Sequence, residues 1–259
     1  MEIRKHSSLV RWFVLVVVSL HVLYVNVYDL IVKQNAIPQI TEKYKSLFVP
    51  APFTFSIWIV LYILFFVYAI YQLLPSQKGK ELFDDIALPF MISITLGIWW
   101  GITYHFELIG LSMIPIIGML VFAFSVYREI YYAYLYDECP KWYLYPFSIY
   151  FGWLIVASLA NLTIWLVSIG SNNILFSEML MGRILALLIF IIGISLSVKY
   201  WDFVLPLAIA WGLVGVYIGQ KDSAPPVAGA AIFFAIILIV WSTIVTFIKK
   251  TPRLENLPR

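Results

Sequence analysis

The sequence predicts an all-α fold: a polytopic membrane helix bundle of about eight transmembrane helices. Three observations carry that prediction. Of 259 residues, 63% are hydrophobic and only 12% charged, against roughly 45–50% apolar and 25% charged in soluble domains, and the mean hydropathy is +0.93. The apolar residues gather into eight runs bounded by charge, Pro or Gly, most of them near the ~20 residues that a helix needs to cross a hydrocarbon core of about 30 Å. The Lys and Arg residues concentrate in alternate loops. Because lipid offers backbone groups no water to bond, each run is expected to be helical.

The first run, 9 to 31, opens with positive charge in RKHSSLVRWFVLVVVSL, as a signal peptide does. It is too long for one and lacks a small-x-small cleavage site, so a retained helix is expected. The second, 53 to 74, follows the Pro-rich VPAPF. The third and fourth, 86 to 106 and 109 to 127, are separated by a tight turn and end before Arg128. The fifth is 145 to 168. The sixth and seventh, 181 to 198 and 203 to 219, are parted only by Lys199 to Asp202. The seventh is short, with Pro206 near its start, which leaves open a kinked or re-entrant segment. The eighth is 227 to 248.

With eight crossings, both termini and the even-numbered loops share one side. Twelve of the 17 basic residues fall there, among them Arg4, Arg11, Lys78, Lys80, Arg128, Lys141 and Lys199; Lys33, Lys43, Lys45, Arg183 and Lys221 fall on the other. Positive loops stay in the cytoplasm, so both ends are expected inside, with the plasma membrane as the expected location. The net charge of +3 then reports topology. A nucleic-acid partner would need a basic face on a soluble domain, which the sequence lacks; lipids are the expected surroundings. Cys139 stands alone and makes no internal disulfide.

His6, His21 and His105 are isolated, with no HExxH, Cys pair or Gly-rich phosphate loop, so neither a metal site nor a catalytic constellation is expected. Asp29, His105 and Glu107 sit at predicted helix ends, where side chains reaching water at the headgroup level are the expectation. One segment does single itself out. In YPFSIYFGWLIVASLANLTIWLV, the residues Trp153, Ala157, Asn161 and Trp165 are spaced by four and so form one helical stripe. An amide in lipid costs a few kcal/mol unless it is paired, so Asn161 is expected to face inward. Either it bonds to another helix across a tight interface, or it orients a flat apolar ligand between aromatic walls. Periodicity does not separate the two.

That stretch resembles the fifth helix of the TspO/MBR family, the tryptophan-rich sensory proteins, whose pattern is a Trp, an Ala four residues on, an Asn eight on and often a Trp twelve on. VPAPFTFSIWIVLY resembles the family's Pro-rich approach to helix two, with Pro50, Trp58 and Tyr62 at matching positions. GIWWGITYHFELIG resembles the third-helix end and its turn, with Trp99 at the matching Trp and Gly110 at the turn's Gly. The sequence departs from the family at Val49, where the pattern has a first proline, and at Ser56, where it has an in-helix proline. Leu96 stands where the family's pocket Asn is expected, and Pro146 lies about one turn out of step.

The resemblance covers about residues 9 to 168. It implies a five-helix bundle over 1–170; beyond that the sequence departs from the five-helix pattern, and 171–259 is expected to be a three-helix membrane extension. It further implies a cavity near one membrane face, under a lid loop spanning 32 to 52. Family members are linked to porphyrins and other tetrapyrroles, so a tetrapyrrole or another lipophilic small molecule is the implied ligand, with no required cofactor. The implied binding residues are Trp58, Tyr62, Trp99, Trp153, Ala157, Asn161 and Trp165, with Pro50, Lys43 and Lys45 on the lid. With Leu96 in place of Asn, the pocket is expected to favour less polar ligands. Tetrapyrrole breakdown is also linked to the family; nothing else in this sequence points to it. A homodimer is a further implication. The alternative function is transport of small hydrophobic molecules, to which Pro206, Gly212, Gly215 and Gly219 point as marks of a broken or tightly packed helix.

Overall fold

The computed structural model describes residues 8–31, 37–171 and 177–248. Among them every regular element is helical. The chain runs α1 (Ser8–Ile31), α2 (Ile37–Lys43), α3 (Ile57–Tyr71), α4 (Leu82–His105), α5 (Ile109–Leu135), α6 (Tyr145–Ser168), α7 (Glu178–Tyr200), α8 (Val204–Gln220) and α9 (Pro225–Phe247), with short 3₁₀ turns before α3, α4 and α6. The eight expected runs correspond to all of these except α2, a short helix within the expected lid. Six helical stretches are long and apolar enough to cross a membrane, and the apolar stretches Leu9–Val25 and Val204–Gln220 are shorter. The chain is thus a multi-pass integral membrane protein with an all-helical bundle fold.

Contacts between helix ends sort the loops into two groups. At one end, the buried Arg11 of α1 gives all five of its N–H groups to the α3–α4 connection. Nε and Nη2 donate to Asp84 at 2.8 and 3.1 Å, Nη1 to the carbonyls of Gln72 and Gln77, and Nη2 also to that of Lys80. At the same end, Lys141 donates to the Trp201 carbonyl, and the Trp201 indole to that of Ile248. At the opposite end, Lys43 pairs with Glu107, and the Leu47 amide donates to Glu178. This is the grouping that eight alternating crossings require. Lys33, Lys249, Lys250, Arg253 and Arg259, used in the charge count, lie outside the described residues, as do Arg4 and Lys5.

The short α8 runs unbroken between the two ends. At about 1.5 Å per residue, its 17 residues cover roughly 26 Å. Pro206 falls in the first turn, where an N–H has no intrahelical acceptor, so it does not break the helix. The buried Asp202 caps that turn, its Oδ1 accepting from the amides of Val204 and Leu205 at 2.8 and 3.4 Å. Its Oδ2 accepts from Ser148 at 2.6 Å and Tyr127 at 3.0 Å, which ties α8 to α6 and α5. Helix α5 continues past Arg128 to Leu135 because Ile130, Tyr131 and Ala133 remain buried while Arg128 and Glu129 point outward.

Helix α6 is the most buried of the long helices and touches α3, α5, α7 and α8. Along α3, Ile59, Ile63, Val67 and Ile70 form an exposed apolar stripe at helical spacing, as a lipid-facing surface does. The opposite face of α3 carries Leu61, Phe65 and Tyr68 into an aromatic core with Phe90, Phe147 and Tyr150, in edge-on pairs such as Phe65–Phe90 at 5.0 Å.

Candidate functional site: an aromatic cavity under the lid

A cavity of about 360 Å³ lies between α1, α3 and α4, covered by residues 37–52 and closed on one side by the end of α8. This is within the roughly 300–1,000 Å³ range of small-molecule sites. Helix α3 contributes Trp58 and Tyr62, one turn apart and stacked at 5.7 Å. Helix α4 contributes Trp100 and His105, and also Gly97 and Gly101, which open room for α1. A Cβ at Gly97 would come within 2.6 Å of the His21 ring, and one at Gly101 within 3.0 Å of the Tyr24 ring. The two glycines, spaced by four, therefore allow α1 to place its imidazole and phenol on the cavity wall.

His21 is buried, at 3% exposure. Its Nδ1 lies 2.9 Å from the Ile94 carbonyl, which can only accept, so Nδ1 carries the proton and Nε2 is left as an acceptor. Nε2 sits 3.3 Å from the Tyr62 hydroxyl, which donates to it. The result is a polar pair inside an otherwise aromatic wall, with the His21 ring 6.3 Å from that of Trp58.

A smaller hollow of about 40 Å³ adjoins the first, sharing Phe55, Trp58, Trp100 and Met119 as walls, with Trp153, Ala157 and Asn161 behind. Trp153 meets Phe55 edge-on at 5.6 Å, and the indoles of Trp58 from α3 and Trp153 from α6 both line this smaller hollow. Asn161 is fully engaged by protein: its Oδ1 accepts from Trp100 Nε1 at 3.2 Å, and its Nδ2 donates to Ser112 Oγ at 3.0 Å and to Met113 Sδ. One amide links α6 to both α4 and α5, so its hydrogen bonds are accounted for by interhelical packing.

The remaining expected site residues divide. Pro50 and Lys45 line the main cavity. Lys43 does not; it pairs on the surface with Glu107 at 2.5 Å, and Tyr44 donates to the same carboxylate at 2.7 Å. These bonds to Lys43 and Tyr44 hold Glu107 below its ordinary pKa, and the bond to Glu107 holds Lys43 above its own. Trp165 packs against the α4–α5 turn, where a Cβ on Gly110 would meet its indole at 2.7 Å, and it lines neither hollow. Trp99 is 60% exposed and points away; its neighbour Trp100, about 100° round the helix, takes the cavity position.

Of the polar helix-end residues, His105 is buried, with Nδ1 donating to the Gly101 carbonyl at 2.6 Å. Glu107 is held by the lid, and the Asp29 side chain lies outside the described residues. His21, Phe55, Trp100, Met119, Gly219 and Gln220 were not expected at the site. For α1 the available signal was Gly97 and Gly101, whose spacing marks a close helix approach.

Comparison with known proteins gives one match. The family model described as TSPO-like protein matches residues 11–244, which takes in both the cavity-forming helices and α7 to α9. No curated protein and no solved structure matches the chain.

Proposed function

Because the chain belongs to the TSPO-like family, we propose that it is a membrane receptor that binds a tetrapyrrole-like or other lipophilic small molecule in the cavity under its lid. The observation that carries this reading is a hollow of about 360 Å³ with Trp58, Tyr62 and Trp100 on its walls and the exposed Lys45, paired with Glu42 at 3.3 Å, also lining it. A flat conjugated ring gains most from indole and phenol faces, while a carboxylate on its edge can reach a lysine at the mouth. The His21–Tyr62 pair, whose polar atoms bond to each other and to the Ile94 carbonyl, favours a ligand with few polar groups inside the cavity; Leu96, expected at a pocket position, instead packs toward Gly118 of α5 and lines neither hollow. Asn161 contributes by fixing Trp100, since its own donors and acceptor are engaged. On the charge distribution, the termini are cytoplasmic and the lid is extracytoplasmic, with the plasma membrane as the location. Helices beyond residue 170 form an extension to the five-helix bundle.

Protoporphyrin titrated into the purified protein, with tryptophan fluorescence followed, tests the reading. Saturable quenching is expected, weakened by Trp58→Ala and Trp153→Ala and unchanged by Trp99→Phe. Quenching that is absent, or equal in all three variants, refutes it. Flux across liposomes carrying the protein separates a receptor from a carrier.

A further inference from the structure

The lid consists of two parts attached to the body in different ways. Residues 37–45, comprising α2 and the two residues after it, contact the body through side chains: Ile40 is buried against Tyr104, Ile109 and Ile164, and three side chains make polar contacts. Thr41 Oγ1 lies 2.9 Å from the Tyr104 hydroxyl, and Lys43 and Tyr44 share the half-exposed Glu107. Residues 46–54 are held from inside. Ser46, Phe48, Val49, Ala51 and Thr54 are all buried, and most of their backbone partners come from α8. Gln220 Nε2 donates to the carbonyls of both Ser46 and Val49 at 3.2 Å, the Ala51 amide donates to the Gly215 carbonyl at 2.9 Å, and the Trp211 indole to the Thr54 carbonyl at 2.8 Å. Helix α8 can come this close because it is bare on that face: a Cβ at Gly219 would stand 3.1 Å from the Ala51 nitrogen, and one at Gly215 would overlap Thr54.

We propose that α8 is the fixed wall of the cavity, anchoring lid residues 46–54, and that the cavity opens by release of α2 alone. Gly219 and Gln220 line the hollow beside Val49, Pro50 and Ala51, while Thr41, Glu42 and Lys45 line it from the other part of the lid. The anchored side makes buried backbone hydrogen bonds, whose loss leaves carbonyls without partners. The α2 side is held by polar side-chain contacts that water replaces at little cost and, among its described side chains, by one buried apolar group, Ile40, compared with Ser46, Phe48, Val49, Ala51 and Thr54 in the anchored part. The glycines of α8 thus set the height of the site, and residues from the last third of the chain become positioning residues for a ligand held mostly by the first. As a statement about ligand access, this rests on the receptor reading; as a statement about which part of the lid moves, it does not.

Maleimide labelling of single cysteines tests it without any ligand, because the one native cysteine, Cys139, is buried at the other end of the bundle. Ile37→Cys reports α2 and Val49→Cys reports the anchored part. Ile37→Cys is expected to label faster, and adding Glu107→Gln to speed it further without changing Val49→Cys. Adding Gln220→Leu is expected to speed Val49→Cys about tenfold, the effect of leaving a buried carbonyl unpaired. If Glu107→Gln accelerates both cysteines equally, or Gln220→Leu leaves Val49→Cys unchanged, the proposal fails. Should Gln220→Leu unfold the chain, Cys139 will label too; Trp211→Phe, which removes the bond to the Thr54 carbonyl and keeps an aromatic ring beside Phe53, then serves as the second variant and must accelerate Val49→Cys. Absence of protoporphyrin quenching would overturn the receptor reading and leave these labelling rates to decide the anchor independently.

Discussion

Replacing Asn161 by Ala separates the two roles that its position allows. In the structure the side chain accepts one hydrogen bond, from Trp100, and donates two, to Ser112 and Met113. Truncation removes the donors together with their hydrogens, so they leave no debt. Ser112 keeps its own bond to the Ile109 carbonyl at 2.7 Å. The one group orphaned is the Trp100 N–H, and an unpaired buried donor costs about 1–3 kcal/mol. Interhelical polar contacts in membranes average about 0.6 and reach about 1.7 kcal/mol, and the enlarged hollow admits a water to the indole. The expected destabilisation is therefore about 1–2 kcal/mol. Unfolding in mixed micelles of rising SDS content measures it, and a cycle with Trp100→Phe isolates the shared bond at about 1 kcal/mol of coupling. A coupling of zero refutes the assignment. So does a variant of unchanged stability that no longer binds protoporphyrin, because the amide would then be a ligand contact.

Three further outcomes follow from named contacts. Arg11→Ala leaves Asp84 and three carbonyls, two of them in buried contacts, without their guanidinium and is expected to cost about 3–5 kcal/mol in the same unfolding assay, with Arg11→Lys recovering only part because an ammonium lacks the planar five-donor fork. Gly97→Val drives a side chain into the His21 ring and pushes it into the cavity; protoporphyrin affinity is expected to fall about tenfold or more, as overpacking of a fitted site does. The contribution of the lowered Glu107 pKa is present above the ordinary carboxylate pKa and lost as pH falls through the depressed value. That of the raised Lys43 pKa is lost only as pH rises through its elevated value. Labelling of Ile37→Cys, corrected for thiol ionisation, is thus expected to stay flat from neutral pH to about 5 and to rise only in stronger acid; a rise already complete at about pH 6 would contradict the latch.

What could be read in the sequence was whatever each residue contributes by its own polarity. The helical runs, the two-sided sorting of loops and the inward direction of Asn161 all follow from the local cost of placing charge or an unpaired amide in hydrocarbon. Helix α2 escaped because seven residues give too short a pattern, and α8 looked breakable because Pro206 reads as a helix breaker until its first-turn position is known. Which side of each helix faces the cavity was decided only in three dimensions. A membrane helix is apolar toward lipid and toward its neighbours alike, so it lacks the polar face that orients a helix in water. Trp99 and Trp100 are equivalent in the sequence, and only the packing of α4 against α1 and α6 turns one to the outside and the other onto Asn161. The same holds for His21, an isolated histidine until Gly97 makes room for it. It holds as well for Gly215 and Gly219 of α8, whose partners Thr54 and Ala51 lie more than 150 residues earlier in the chain and meet them only once the bundle has closed.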